Sequence, residues 1–239
     1  MHGTVSIFPD AAALAEAAAC QFVELAQTSV EARGRFSVAL AGGQTPKATY
    51  QLLASEGFRR QIDWRHVHLF WGDERCVPPD HPESNYGMAR RTFIDDVPIP
   101  EGNVHRILGE YDPIVAAETY EAELKDHFKS QLPAFDLIFL GLGADGHVAS
   151  LFPGSAALEE KSRLAMAAQH PQTNQWRVTL TLVALNAAAH VGMLVAGAGK
   201  SAIIQRLRQA DALVPAAMVR PAGGQLQWLL DVAAAKNLT

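Results

Sequence analysis

Cysteine is nearly absent: Cys20 and Cys76 are the two thiols in 239 residues, too few for a disulfide framework, and the expected compartment is a reducing one, the cytoplasm. Charge is sparse as well. Asp, Glu, Lys and Arg make up 19% of the chain against 49% hydrophobic residues, which excludes a disordered or fibrous protein and implies a globular enzyme-like one. Cations are the scarcer sign, and a net charge of −5 opposes the phosphates of a nucleic acid, so no such partner is expected. A few focused cations in a cleft can still hold a small anion. The apolar stretches are alanine-rich or strand-length and Met1-His2-Gly3-Thr4 carries no basic leader, so neither a membrane span nor a targeting segment is expected. Also missing are an internal repeat, a G-x-S-x-G elbow, an H-E-x-x-H helix and paired C-x-x-C motifs. A single domain over residues 1–239 is long enough to bury its own core, and a monomer rather than an obligate oligomer is expected.

What is present alternates. Asp10 is placed to cap a helix running to about Ala32, with Leu14, Ala18, Phe22 and Leu25 on one face. Apolar bursts at Phe36 to Ala41, Val67 to Trp71, Phe135 to Leu140 and Val191 to Ala196 have strand length, and each runs into glycine. Helix-like segments at Lys47 to Ser55, Pro113 to Gln131 and Ser201 to Gln209 lie between or after them. This pattern predicts an α/β fold, a doubly wound, mainly parallel sheet flanked by helices. The alternation from Arg177 to Leu182, within the less regular stretch Arg163 to Leu182, adds a few extra strands. In such a sheet the ligand crevice lies beyond the carboxyl ends of the strands, where four glycine-rich loops should converge.

Gly42-Gly43-Gln44-Thr45-Pro46 reads either as an anion cradle or as an ordinary turn, with Thr45 capping a helix that Pro46 opens. Gly72-Asp73-Glu74-Arg75 offers either a structural ion cluster or, through the planar fork of Arg75, a phosphate ligand. Gly141-Leu142-Gly143-Ala144-Asp145-Gly146-His147 joins backbone donors to an imidazole that can move protons near neutral pH, making His147 the leading catalytic candidate. The loop also fits G-x-G-x-x-G, but Pro153 cuts short the helix a dinucleotide needs, and the residue twenty beyond Gly141 is Lys161 rather than an acid. Gly197-Ala198-Gly199-Lys200-Ser201 imitates a P-loop, yet Leu194 stands where that motif needs its first glycine; Lys200 remains either a phosphate ligand or a solvated lysine. Val77 to Asn85, with three prolines, is either a lid or a stiff connection. His66 and His68 are expected on one strand face without a third ligand, hence structural, and no metal or cofactor is expected.

Together these segments resemble the 6-phosphogluconolactonase family, within the wider group of sugar-phosphate isomerases and glucosamine-6-phosphate deaminases. The likeness runs from Gly42-Gly43-Gln44-Thr45-Pro46 through Phe70 to Arg75, Val77-Pro78, Ser84-Asn85-Tyr86 and Asp145-Gly146-His147 with Ala149 to Gly154. It continues at Thr179-Leu180-Thr181, Ala184-Leu185-Asn186, Lys200 and Trp228 to Asp231, nearly the whole chain. Deaminases carry a glutamate-bearing segment after Asp-Gly-His where this chain has Ser150-Leu151-Phe152-Pro153. Gln44 and Val148 depart from the residues often found at those positions. The resemblance implies hydrolysis of a small phosphorylated sugar lactone, its phosphate at Gly43-Gln44-Thr45 with Arg75 and Lys200 adding charge. It further implies His147 as the proton carrier and Asp73 or Asp145 as the group that orients it.

Overall fold

The computed structural model describes residues 1–238 apart from 131, 210 and 212. Six strands, β1 (Thr4–Phe8), β2 (Phe36–Leu40), β3 (Val67–Trp71), β5 (Leu137–Leu140), β8 (His190–Val195) and β9 (Gln225–Asp231), form one sheet in the order β1-β9-β8-β5-β2-β3. Every pairing in it is parallel. A second, antiparallel sheet joins β4 (Asp73–Arg75), which was not expected, to β7 (Trp176–Leu180) and β6 (Ala165–Gln169), the extra strands expected between Arg163 and Leu182. The helices are α1 (Ala11–Arg33), α2 (Gln44–Ala54), α3 (Glu56–Arg59), α4 (Asn85–Thr92), α5 (Pro113–Phe128), α6 (Leu182–Leu185), α7 (Ser201–Arg208) and α8 (Val232–Ala235). None of them is long and apolar enough to cross a membrane.

Local chemistry explains the limits. The Asp10 carboxylate accepts the Ala13 amide and Gly34, in the left-handed region at φ 73°, ends α1 as a C-cap. Asp112 caps α5 by accepting from Ile114 and Val115 ahead of Pro113 at the first helical position. That helix ends at Phe128, and the expected end at Gln131 lies outside the described residues. Helices α2 and α7 each stop one residue short of the expected ends, at Ala54 and Arg208.

Pleat alternation sets the layers. Phe36 meets Phe22 of α1, while the next residue, Ser37, meets His127 of α5, so the two long helices cover opposite faces of the sheet. The strands β2 and β5 are buried end to end, as a doubly covered parallel sheet requires. Chain order runs outward from β2 to β3 in one direction and from β5 to β8 and β9 in the other. The switch of direction therefore falls between β2 and β5, and the loops leaving those strands open a crevice there. Two buried tyrosines fix its edges: Tyr50 of α2 bonds both the N–H and C=O of Ala41, and Tyr120 of α5 does the same for Trp71.

Candidate active site

A cavity of about 490 Å³ opens at that switch, and its wall includes Gly42, Gly43, Gln44, Thr45, Asp73, Arg75, His147 and Lys200. Eight of the nine expected site residues thus converge from four strand ends, and the ninth, Asp145, stands directly behind the His147 ring. The floor is apolar, from Leu140, Leu142, Leu194 and Val195.

The first loop differs from expectation in one respect. Gly43, not Thr45, occupies the cap position, at φ 104°, and α2 already begins at Gln44. A positive φ at this point favours glycine, and it turns the chain so that no side chain caps the helix. The first-turn amides of Gln44 and Thr45 are left for an outside acceptor, at the positive end of the helix. Gly42 is needed for a different reason: a Cβ there would run into the amide of Asn85. Asn85 Nδ2 bonds the Asp73 carbonyl at 2.8 Å and its carboxylate at 3.2 Å.

The acids of Asp73-Glu74 build the scaffold. Glu74, buried, accepts from the amides of Arg75, Asn85 and Tyr86 and from the Ser84 hydroxyl, at 2.7–2.9 Å. It therefore anchors the start of α4, although burial still raises its carboxyl above the usual range against those donors. Asp73 accepts from Ser150 Oγ at 2.6 Å, and the Ser150 amide in turn donates to Thr179 Oγ1 at 3.1 Å. These bonds hold Ala149, at φ 47°, in a left-handed conformation that costs a residue with a Cβ about 1–2 kcal/mol. Arg75 Nη1 donates to the Glu83 carbonyl at 2.6 Å and Gln175 to its carboxylate at 2.9 Å. With Ser84 and Asn85 also tied to Glu74, the last three residues of the Val77 to Asn85 segment are anchored to the scaffold.

Of the two carboxylates left open by the sequence, Asp145 is the one on the imidazole. Its Oδ1 lies 2.6 Å from His147 Nδ1 and accepts the His147 amide at 3.1 Å. A carboxylate can only accept, so Nδ1 carries the proton and Nε2 presents its lone pair. Burial would raise the Asp145 carboxyl, but the amide and ring of His147 outweigh it and hold it below the ordinary range. Gly143 makes the pair possible, since a Cβ there would strike both His147 Nδ1 and the Asp145 carboxylate. The ring leans on Phe152, centroids 4.9 Å apart, with its side chain 28% exposed.

Arg177 was not singled out. Antiparallel pairing of β4 with β7 sets it directly across from Arg75, on the same cavity wall. Its guanidinium lies 5.8 Å from the Phe152 ring centre and 3.9 Å from the Asp73 carboxylate, and burial pushes it below its ordinary range. The buried Nε–H groups of both arginines have no acceptor within the described protein, which fits an anion as their partner. In the sequence Arg177 appeared only as one beat of a strand alternation, and nothing local marked its partner strand. Lys200 reaches the cavity from the turn after β8, where Gly197, at φ 95°, donates its amide to both Asp231 oxygens at 3.0 and 2.9 Å.

Known proteins resemble this arrangement over the whole chain. A family described as glucosamine-6-phosphate isomerases/6-phosphogluconolactonase matches residues 9–228. The 6-phosphogluconolactonase of a Nostoc species is 39% identical, with 100% of both chains covered. That of a Synechocystis species is 43% identical over 88% of each. The solved 6-phosphogluconolactonase from Trypanosoma cruzi superposes with a TM-score of 0.90 at 33% identity, covering 100% of this chain and 97% of its own.

Proposed function

The chain belongs to the family of glucosamine-6-phosphate isomerases and 6-phosphogluconolactonases, and from that membership we propose that it hydrolyses 6-phospho-D-glucono-1,5-lactone to 6-phospho-D-gluconate, the second step of the oxidative pentose phosphate pathway. The observation that carries the reading is an Asp145-oriented imidazole sharing one cavity with an uncapped helix start and two arginines.

The substrate phosphate sits on the first-turn amides of α2, with Arg75, Arg177 and Lys200 around it. His147 Nε2 takes a proton from a water as the water oxygen bonds to the lactone carbonyl carbon. Donors of the Gly141 to Gly143 turn or a guanidinium stabilise the resulting oxyanion. As the carbonyl re-forms, the bond to the ring oxygen breaks and the imidazolium returns its proton to that oxygen, leaving an open-chain acid with its hydroxyl. Asp145 keeps the ring in the required tautomer throughout; Asp73 acts through Ser150 and Asn85 and is a positioning residue. We further place the enzyme in the cytoplasm, as a monomeric single domain over residues 1–239, with the continuous core and the two free thiols as support.

Freshly prepared 6-phosphogluconolactone, corrected for spontaneous opening, tests the proposal directly. Turnover by the wild type and its loss in His147→Ala are expected. Ammonia released from glucosamine 6-phosphate, without lactone turnover, would assign the chain to the other activity of its family.

A further inference from the structure

At the amino end of the sheet the structure departs from expectation. His66 is not on β3 but in the turn Trp64–His66 before it, and the residues beside His68 are His105, from the segment before α5, and His127, in its last turn. One donor nitrogen from each of these three rings lies within 4.8 Å of the others.

We propose that His68, His105 and His127 form a binding site for a divalent transition ion of the zinc class, separate from the catalytic cavity. A tetrahedral zinc ion with bonds of about 2.0–2.1 Å to imidazole needs its nitrogens about 3.3 Å apart. His68 Nδ1 and His105 Nε2 already stand at 3.1 Å, so a contraction of the third ring completes the set. A fourth position is left for water.

The proton positions favour ligation. His105 Nδ1 lies 2.7 Å from Glu123 Oε1, and because the carboxylate only accepts, Nδ1 carries hydrogen and Nε2 offers its lone pair inward. A ligand histidine backed by a carboxylate is the arrangement that orients imidazoles on metals and raises their basicity. His68 Nδ1 then gives its hydrogen to His105 Nε2; when the ion takes that place, the displaced proton leaves to solvent as His68 Nε2 takes up another, so the ring ligates as the neutral Nε2–H tautomer. His127 Nε2 is 2.8 Å from Ser37 Oγ, so this ring is held as well. Burial, followed by the neighbouring rings, keeps His68 and His127 neutral at physiological pH, the form that binds metal.

The walls are apolar. Phe70 stacks on His105 with centroids 4.3 Å apart and planes 8° apart, and meets His127 edge-on at 4.9 Å. An adverse charge, Arg35, bonds the His127 carbonyl at 3.2 Å and lies over the Phe128 ring. All three histidines are only half-buried, which leaves an entry path. His68 precedes Asp73 by five residues of extended chain, about 16 Å, so an ion here ties β3 to α5 without reaching the reacting atoms.

The test is titration of the chelator-stripped full chain with zinc by calorimetry, and with cobalt by visible spectroscopy, in a Cys20→Ser background that removes the exposed thiol. One equivalent per chain is expected, with the intense visible bands of a tetrahedral cobalt site and a zinc-dependent rise in melting temperature. His105→Ala and His127→Ala should abolish all three signals, Glu123→Gln should weaken binding about 10- to 100-fold, and His147→Ala should leave it intact. Folding of each variant is read from its melting transition, so the outcome does not depend on the lactonase assignment. If an alanine variant fails to fold, Glu123→Gln decides. Absence of stoichiometric binding by the wild type, binding that survives the substitutions at 105, 127 and 123, or binding lost with His147→Ala would each overturn the site.

Discussion

The carboxyl end of the sheet presents one imidazole to an open cavity, with a single carboxylate behind it and cations across from it. The amino end clusters three imidazoles, His68 stacked on His105 and His127 tilted against both, walled by phenylalanines. The residue type is the same and the surroundings differ. Where solvent reaches the ring and a charged acceptor fixes Nδ1–H, histidine is equipped to carry protons. Where burial dominates, His68 is pushed down to about 4 and His127 to about 3, and neither ring can cycle a proton near neutrality. Environment, not identity, separates an imidazole open to proton transfer from a packed one.

The largest effect that would sharpen this contrast is His147→Ala, which should lower kcat about 10²- to 10⁴-fold. Replacing His127 or His105 should leave kcat within error; a comparable loss there would erase the distinction between the two ends. Next in size is Asp145→Asn, with Gly143→Ala beside it. Each leaves the imidazole present but misdirected, and a loss of about 10²-fold in kcat is expected with little change in KM. Survival of full turnover would mean that Asp145 does not orient the ring.

Arg177→Ala and Arg75→Ala test the cationic side of the cavity. Loss of a charge-assisted contact of about 1.5–3 kcal/mol should raise KM about 10- to 100-fold for the phosphorylated lactone. The penalty should nearly vanish for the unphosphorylated one, and equal penalties would contradict phosphate recognition. A smaller signal lies in the acid limb of kcat against pH. Burial raises the Asp145 carboxyl less than His147 lowers it, so its folded value is depressed. Asp145 thus stays ionised below the ordinary aspartate range, its contribution to stability is complete above that range, and it is lost only as pH falls through the lowered value. The limb should therefore follow one proton, whereas a two-proton slope would show Asp145 titrating with the imidazole. Smallest of all, Ser37→Ala at the amino end removes the His127 hydrogen bond and should cost about 1 kcal/mol in denaturant unfolding with no kinetic effect.

Local signals were legible because their physics is local. Val67–Trp71 is a strand where its apolar run said so, Asp10 caps α1, and the glycine loops after four strands mark the crevice. The same holds for His147, since the glycines around it announce a tight turn. Thr45 failed as a cap because Gly43, in a backbone region that residues with a Cβ rarely enter, took the position first. The role of Asp73 stayed open because Ser150, its partner, lies 77 positions away.

The sequence by itself determined the layered α/β class, the strand ends and the chemical types brought to them, through periodicity, capping and the conformational freedom of glycine. Only the tertiary structure decided that Asp145 rather than Asp73 holds the imidazole, that Arg177 faces Arg75, and that His68 meets His105 and His127. The Asp145 contact closes within one turn, between residues two apart, whose conformation the sequence left open; the other two depend on strand pairing or helix packing between distant segments, set by burial of the whole core rather than by any short stretch of chain.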